Sequence, residues 1–338
     1  MSYFDFFCTH IKNETTEENM RIVGTCYSMC PQVEVNLREK EKMVHALEII
    51  GSERKLVKSY SRSAADSNMT IPHLLRPYSV LKETLQHLLS VVLQRKDVPT
   101  CVVYNFIDDR FRSIRQDMTI QRLSTNECAS LLEPMIKLCG VSHNDFNPFL
   151  NKKYLMECLK WFLYCCDTTE AIKINDIDGL STFISKLDIN NENKQINQEN
   201  VKIEVDRKLM ESLYILCNLD DMHPLIRYLN LPRHLKSDRS SVLLLSYQIA
   251  MANLKGNYVT FCRLIKKLDP LLYCTVWLYL PVLQSQHEVT EICKHYGLTI
   301  QDEHVRFNKT DFRSDVPLHS LEKNPIDDGK LSIDNIFT

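Results

Sequence analysis

Apolar residues recur along this chain at helical rather than strand spacing. After Pro77, Leu81, Leu85, Leu88 and Val92 lie three or four residues apart, which sets them on one face of a helix. In "VVYNFIDDRFRSIRQDM", Val103, Ile107, Phe111, Ile114 and Met118 form a second stripe. Phe261, Leu264, Ile265 and Leu268 form a third, with Arg263, Lys266 and Lys267 directed outward. The same period predicts helices over about 33–50, 126–139, 151–166, 205–218 and 239–253. Connections are mostly short and alternating strands are lacking, so the pattern predicts a mainly α fold of irregular stacked helical hairpins. No fixed-period consensus repeat is present.

Two segments break this rhythm. "DINNENKQINQEN" (188–200) holds five Asn and two Gln, has no apolar face to bury and reads as a flexible surface insertion. Near the end, His287–Tyr296 reads as a helix with Val289, Ile292, Cys293 and Tyr296 inward and Gly297 as its cap. "LTIQDEHVRF" then reads as strand, turn and strand, with Leu298 and Ile300 matched by Val305 and Phe307. The expected organisation is a flexible N-terminal tail (1–22), a helical-repeat domain (23–284), a small winged-helix end (285–313) and a C-terminal tail (314–338).

Composition narrows the function classes. The 338 residues carry a net charge of −2, so nucleic-acid or membrane binding needs a local patch. The longest apolar run, Leu271 to Leu283, is about half a bilayer span and contains Pro281. The opening "MSYFDFFCTH" carries Asp5 within its aromatics and no basic region, which is not a signal peptide. A soluble intracellular protein without a membrane partner is the expectation. The basic residues Arg54, Lys55 and Lys58 read as part of a helix rather than as a nuclear-localisation run.

In a reducing compartment the thirteen cysteines are free thiols that behave as small apolar groups. Cys158, Cys165, Cys217, Cys262 and Cys274 fall in apolar helical patterns and are expected in the core. Cys26 and Cys30 are spaced C-x3-C, without the second pair that a four-ligand zinc site wants, so no metal is expected. The seven glycines are dispersed, which excludes phosphate-cradling loops and dinucleotide fingerprints. H-E-x-x-H and G-x-S-x-G are lacking too. The reading is a non-enzymatic chain without cofactors.

The stretch "DDRFRSIRQD" carries the densest charge. On its helix Asp109, Arg112 and Gln116 point away from the apolar stripe, with Arg110 and Asp117 on one flank and Asp108 and Arg115 on the other. One reading is a basic surface for phosphate; the other is an internal lattice of Arg–Asp pairs locking neighbouring helices. The near-balance of charge favours the lattice.

Four segments in order carry a family resemblance: "GTCYSMCP" followed by Arg38, "LVKSYSRSAA" (56–65), "LLRPYSVL" (74–81) and "FIDDRFRSIRQDMTIQ" (106–121). Together they resemble the successive signatures of the Sac-three/GANP domain family, and "YLPVLQ" with "ICKHYGLTIQDEHVRFNKTDF" is similar to its closing winged helix. Between 122 and 255 the resemblance thins, and Asp66 stands where the family commonly has glycine. The matched signature positions are Gly24, Cys26, Met29, Cys30, Pro31 and Arg38, then Arg62, Arg76 and Pro77. On the charged helix they are Asp109, Arg110, Arg112, Arg115, Gln116, Asp117 and Gln121. The resemblance makes the Cys-x3-Cys-Pro segment a structural signature before the first long helix, with Pro31 suited to that helix's first turn.

The resemblance implies a scaffold of TPR- or PCI-like helical repeats ending in a winged helix. Long family members pair with a PCI-domain subunit and a small acidic peptide of the Dss/Sem type in an mRNA export complex at the nuclear pore, where juxtaposed winged helices contact nucleic acid. The expectation is a non-enzymatic adaptor in mRNA export, in nucleus and cytoplasm. RNA would meet a basic surface of Arg263, Lys266, Lys267, Lys294, Arg306 and Lys309. The alternative follows short members associated with centrosome duplication and the spindle: a scaffold binding centrosomal proteins without RNA, with "YFDFF" (3–7) as a docking peptide. The chain lacks room for phenylalanine-glycine repeats or a long carboxy-terminal arm, and reads as the domain alone.

Overall fold

The computed structural model describes residues 22–61, 70–140, 148–184, 205–238, 241–279, 293–301, 304–306, 313 and 315. The first described segment is extended: the amides of Thr25 and Cys26 donate to Pro72 O (2.8 Å) and Leu75 O (3.0 Å). Pro31 then caps α1 (Gln32–Lys40). The expected single helix over 33–50 does not form. After the highly charged run 38–42, Lys42 turns left-handed at φ 55°. The chain re-enters as a 3-10 turn, Ala46–Glu48, closed by a reciprocal His45–Glu48 capping box. A two-residue hairpin follows, β1 (Ile49–Ile50) and β2 (Glu53–Arg54), with Gly51 at φ 62° in its turn. Arg54 therefore lies on a strand, and Lys55 and Lys58 on the irregular segment 55–61 after it, not on a helix.

From Pro72 to Tyr279 the described residues are mainly helical. A 3-10 turn, Pro72–Leu74, leads into α2 (Tyr78–His87), extended by a π-type turn, Leu88–Val92. The 22-residue α3 (Thr100–Gln121) ends where Arg122 turns left-handed, φ 49°. Ser124 and Glu127 form the capping box of α4 (Thr125–Cys139), and the 37-residue α5 (Pro148–Ile184) packs along it. Asp206 caps α6 (Arg207–Leu216), which is followed by α7 (His223–Asn230) and the single turn α8 (Arg233–Lys236). Ser241 and Asn257 cap α9 (Val242–Leu254) and α10 (Tyr258–Ile265), and α11 (Pro270–Tyr279) packs on α6. The fold is mainly α, as the periodicity predicts. Three predicted helices lie within a few residues of α4, α6 and α9. The helix predicted over 151–166 runs on to Ile184, because its continuation is too polar to show an apolar stripe.

One apolar core links α2 to α11. Trp161, Phe162, Leu131, Leu132, Ile114 and Met118 are among its largest fully buried side chains. Cys158, Cys165 and Cys217 belong to it, whereas Cys274 is half-buried and Cys262, expected inside, is exposed. At the far end Gly297 adopts φ 74°, and Leu298 N donates to Cys293 O at 2.7 Å. β3 (Thr299–Gln301) pairs antiparallel with β4 (His304–Arg306), with Ile300 opposite Val305. Phe307, the 188–200 segment and nearly all of the two tails lie outside the described residues. So does the first part of the helix predicted from His287. Among the described residues no helix is long and apolar enough to cross a membrane.

Candidate functional site

The apolar stripe of α3 is buried as its spacing predicts, but so is most of the rest of the helix. Asp109 and Arg112, which point away from the apolar stripe, are half-buried and Gln116 is buried, so this side of the helix is covered as well. The cause is the segment 55–61, which reaches that side of α3. Tyr60 N donates to Asp109 Oδ2 at 3.2 Å, and Gln116 Nε2 donates to Ser61 O at 3.2 Å. The Arg112 guanidinium lies over the Tyr60 ring at 4.2 Å and nears the Tyr154 ring at 5.4 Å.

Two carboxylates gather the signature cations. Asp117, wholly buried, accepts from Arg76 Nε at 2.8 Å and from Lys58 Nζ at 2.6 Å. Arg76, equally buried, also donates to Ser113 Oγ (2.9 Å) and Met29 O (3.4 Å). Gln121 closes this side: its amide nitrogen donates to Arg76 O at 2.8 Å and its oxygen accepts from Gly24 N at 2.8 Å. A Cβ on Gly24 would stand 2.3 Å from Leu75 O and 2.7 Å from Gln121 Oε1, so glycine is required there for close approach.

Glu48 is the second node. It accepts from the guanidinium of Arg38, from Arg110 Nη2 (3.3 Å) and from the amides of Val57 and His45 (both 3.0 Å). Burial pushes its carboxyl up, but hydrogen bonds from Val57 and Arg38 outweigh that and hold it below its ordinary range. The lattice is therefore internal, with Asp117 one of its acidic nodes and Glu48, which the sequence did not suggest, the other. Arg38, Arg76 and Arg110 meet Glu48 and Asp117 across distant segments rather than neighbouring aspartates alone; Arg110 also touches Asp109. Arg115 instead reaches Cys158 Sγ on α5 at 2.7 Å. Burial raises the nearby Asp108 carboxyl.

The Cys-x3-Cys segment lies at the edge of this lattice. Cys26, Met29 and Cys30 are buried, and burial pushes the Cys30 thiol up to about 12, far from the thiolate that a metal ligand or nucleophile needs. Among the described residues no group of three or more His, Cys, Asp or Glu is placed to hold a metal ion. Pro31 and Pro77 each stand immediately before a helix, where a missing amide costs little. Arg62 lies outside the described residues. The carboxylates of the lattice are each held by several donors, an arrangement that holds five chain segments in register.

A second charge cluster escaped the sequence reading. Arg207 and Arg227 bridge Asp167 on α5 and Glu211 on α6, and Arg207 also reaches Glu170 at 2.8 Å. The local signal was present in Arg207 and Glu211, four apart at a helix start. The other members are farther off in sequence: Asp167 stands 40 residues from Arg207, and Arg227 stands 16 residues from Glu211 and 60 from Asp167. The basic candidates are partly placed. Arg263, Lys266 and Lys267 are exposed at the end of α10, and Lys294 is exposed beyond α11. Arg306 lies on β4 opposite Thr299, and Lys309 falls outside the described residues.

Comparison with known proteins follows the same segments. The SAC3/GANP family model matches residues 29–287. SAC3 family protein B of Arabidopsis thaliana is 27% identical over 288 residues, 81% of this chain but 16% of the plant protein. SAC3 family protein 1 of Schizosaccharomyces pombe is 35% identical over 115 residues, 32% of this chain and 11% of that protein. Protein xmas of Drosophila melanogaster is 30% identical over 160 residues, 42% of this chain and 8% of its own length. The chain thus spans less than a fifth of each of these relatives. With the family match running through the lattice and most of the helical array, this chain belongs to the SAC3/GANP family.

Proposed function

We propose that this chain is a non-enzymatic helical scaffold that assembles with a PCI-type partner in mRNA export from the nucleus. The observation that carries the reading is the family match over residues 29–287. SAC3/GANP is a scaffold-type family, and the lattice suits that role. Its charges are used internally to hold chain segments in register, so recognition falls to exposed surfaces. By the same resemblance the partners are a PCI-domain subunit and a small acidic peptide of the Dss/Sem type, and the protein works in nucleus and cytoplasm.

RNA contact, in this reading, runs through Arg263, Lys266 and Lys267 together with Lys294, Arg306 and Lys309. With a net charge of −2 there is no global attraction, so affinity must come from this patch and fall with salt. Reversing Arg263, Lys266 and Lys267 to glutamate should weaken single-stranded RNA binding at least about tenfold and flatten the log–log salt slope by about 2. Unchanged affinity rejects the patch. The assembly itself is tested by tagged purification from the native cells in interphase and in mitosis. Recovery of a PCI-domain subunit with the acidic peptide supports the export reading. Recovery of centrosomal proteins without them replaces it with the centrosome and spindle scaffold.

A further inference from the structure

Helix α7 buries one face and leaves another bare. Leu225 and Tyr228 are buried, on a helix that packs against α6 and α9. Met222, Ile226 and Leu229 are 55%, 52% and 61% exposed. Their spacing of four and three residues aligns them within one narrow stripe. Apolar side chains at these three successive positions differ from the scattered single exposures found on any surface. The ends of the stripe carry opposite charge. Asp220 and Asp221 are exposed before its first residue, and Arg233 is exposed after its last.

Such a surface complements itself. Rotating a second copy about a two-fold axis through Ile226 lays Met222 against Leu229 and brings Asp220 and Asp221 of each copy to Arg233 of the other. We propose that α7 is a self-association face on which a second copy of this chain docks antiparallel. The three side chains offer roughly 300 Å² per copy against about 800 Å² per partner in a standard interface, so the dimer is weak and concentration-dependent. This does not rest on the export reading, because the partner is the chain itself.

Sedimentation equilibrium of the full chain, from micromolar to submillimolar concentration, tests the proposal. The wild type should approach twice the monomer mass with rising concentration. Ile226→Glu places two like charges at the axis and should weaken association at least about tenfold. That position is exposed, so far-UV circular dichroism should match the wild type. Asp221→Lys and Arg233→Glu should each associate poorly alone. Mixed together they should associate as well as the wild type, because both cross-copy pairs are then of opposite sign. A wild type that stays monomeric throughout, an Ile226→Glu variant that dimerises normally, or a mixture no better than its components overturns the proposal.

Discussion

Replacing Asp117 by alanine removes the carboxylate that sits between Arg76 and Lys58. Asp117 and Arg76 side chains are 0% exposed and that of Lys58 13%, so water cannot take the place of the lost oxygens. Bonds of 2.6 Å and 2.8 Å disappear, and two cations are left buried without their counter-charge. Breaking a buried pair in this way costs about 3–5 kcal/mol, against a total stability of about 5–15 kcal/mol for a typical domain. Asparagine should cost nearly as much, because charge rather than volume is missing. The double variant Arg76→Met/Asp117→Leu should cost less than the sum of Arg76→Met and Asp117→Leu by about 2 kcal/mol, since removing both charges leaves only Lys58 to resolvate. Urea unfolding followed by far-UV circular dichroism reads these differences as midpoint shifts at constant slope. An Asp117→Ala variant within about 1 kcal/mol of wild type, or additivity within about 0.5 kcal/mol, would refute the reasoning.

Four further outcomes follow from the structure. The Glu48 carboxyl is held below its ordinary value near 4.5, so its stabilisation is complete above that value and is lost as pH falls through the folded one. Wild type should therefore lose more stability than Glu48→Gln between about pH 5 and 3 in a urea-midpoint series, and parallel curves contradict this. Gly24→Ala forces a methyl against Leu75 O and Gln121 and should destabilise by about 2–3 kcal/mol by the same assay. Cys30→Ser buries a hydroxyl at a 3% exposed site and should cost about 1–3 kcal/mol, with Cys26→Ser also destabilising. Neither variant should change metal content, and stoichiometric zinc in the purified wild type would contradict the packing role. In native-state alkylation, exposed Cys262 should react well before Cys158, Cys165 and Cys217.

Much of the helical array was legible because each long helix buries one apolar stripe, and period alone marks it. The stripe of α3 from Val103 to Met118 is the plainest case. Its charged face was legible as an internal lattice from its near-balance of charge, but the segment that covers Asp109, Arg112 and Gln116 was not, because partners distant in sequence leave no local signal. Here that segment is 55–61, whose partners on α3 stand some fifty residues away. The same distance hid Glu48, which looked like part of a continuous helix from 33 and instead turns inward to meet Arg38 and Arg110. Cys262 was misplaced because it neighbours Phe261 in an apolar pattern, and its helical position rotates it outward. The second charge cluster, around Arg207 and Arg227, joins three helices and has only one local pair to announce it. Motif order gave the family, whereas pairing within the lattice needed the fold.

The proposed role of the SAC3/GANP array is that of a scaffold that receives a PCI-type subunit. It is tested most directly by co-expressing this chain with the PCI-domain subunit and the small acidic peptide from the same organism, then measuring the mass and stoichiometry of what co-elutes. One stable complex containing all three chains, which survives dilution and keeps the chain's far-UV spectrum intact, is the expected result. Elution of this chain apart from the other two, folded and at its own mass, would contradict it.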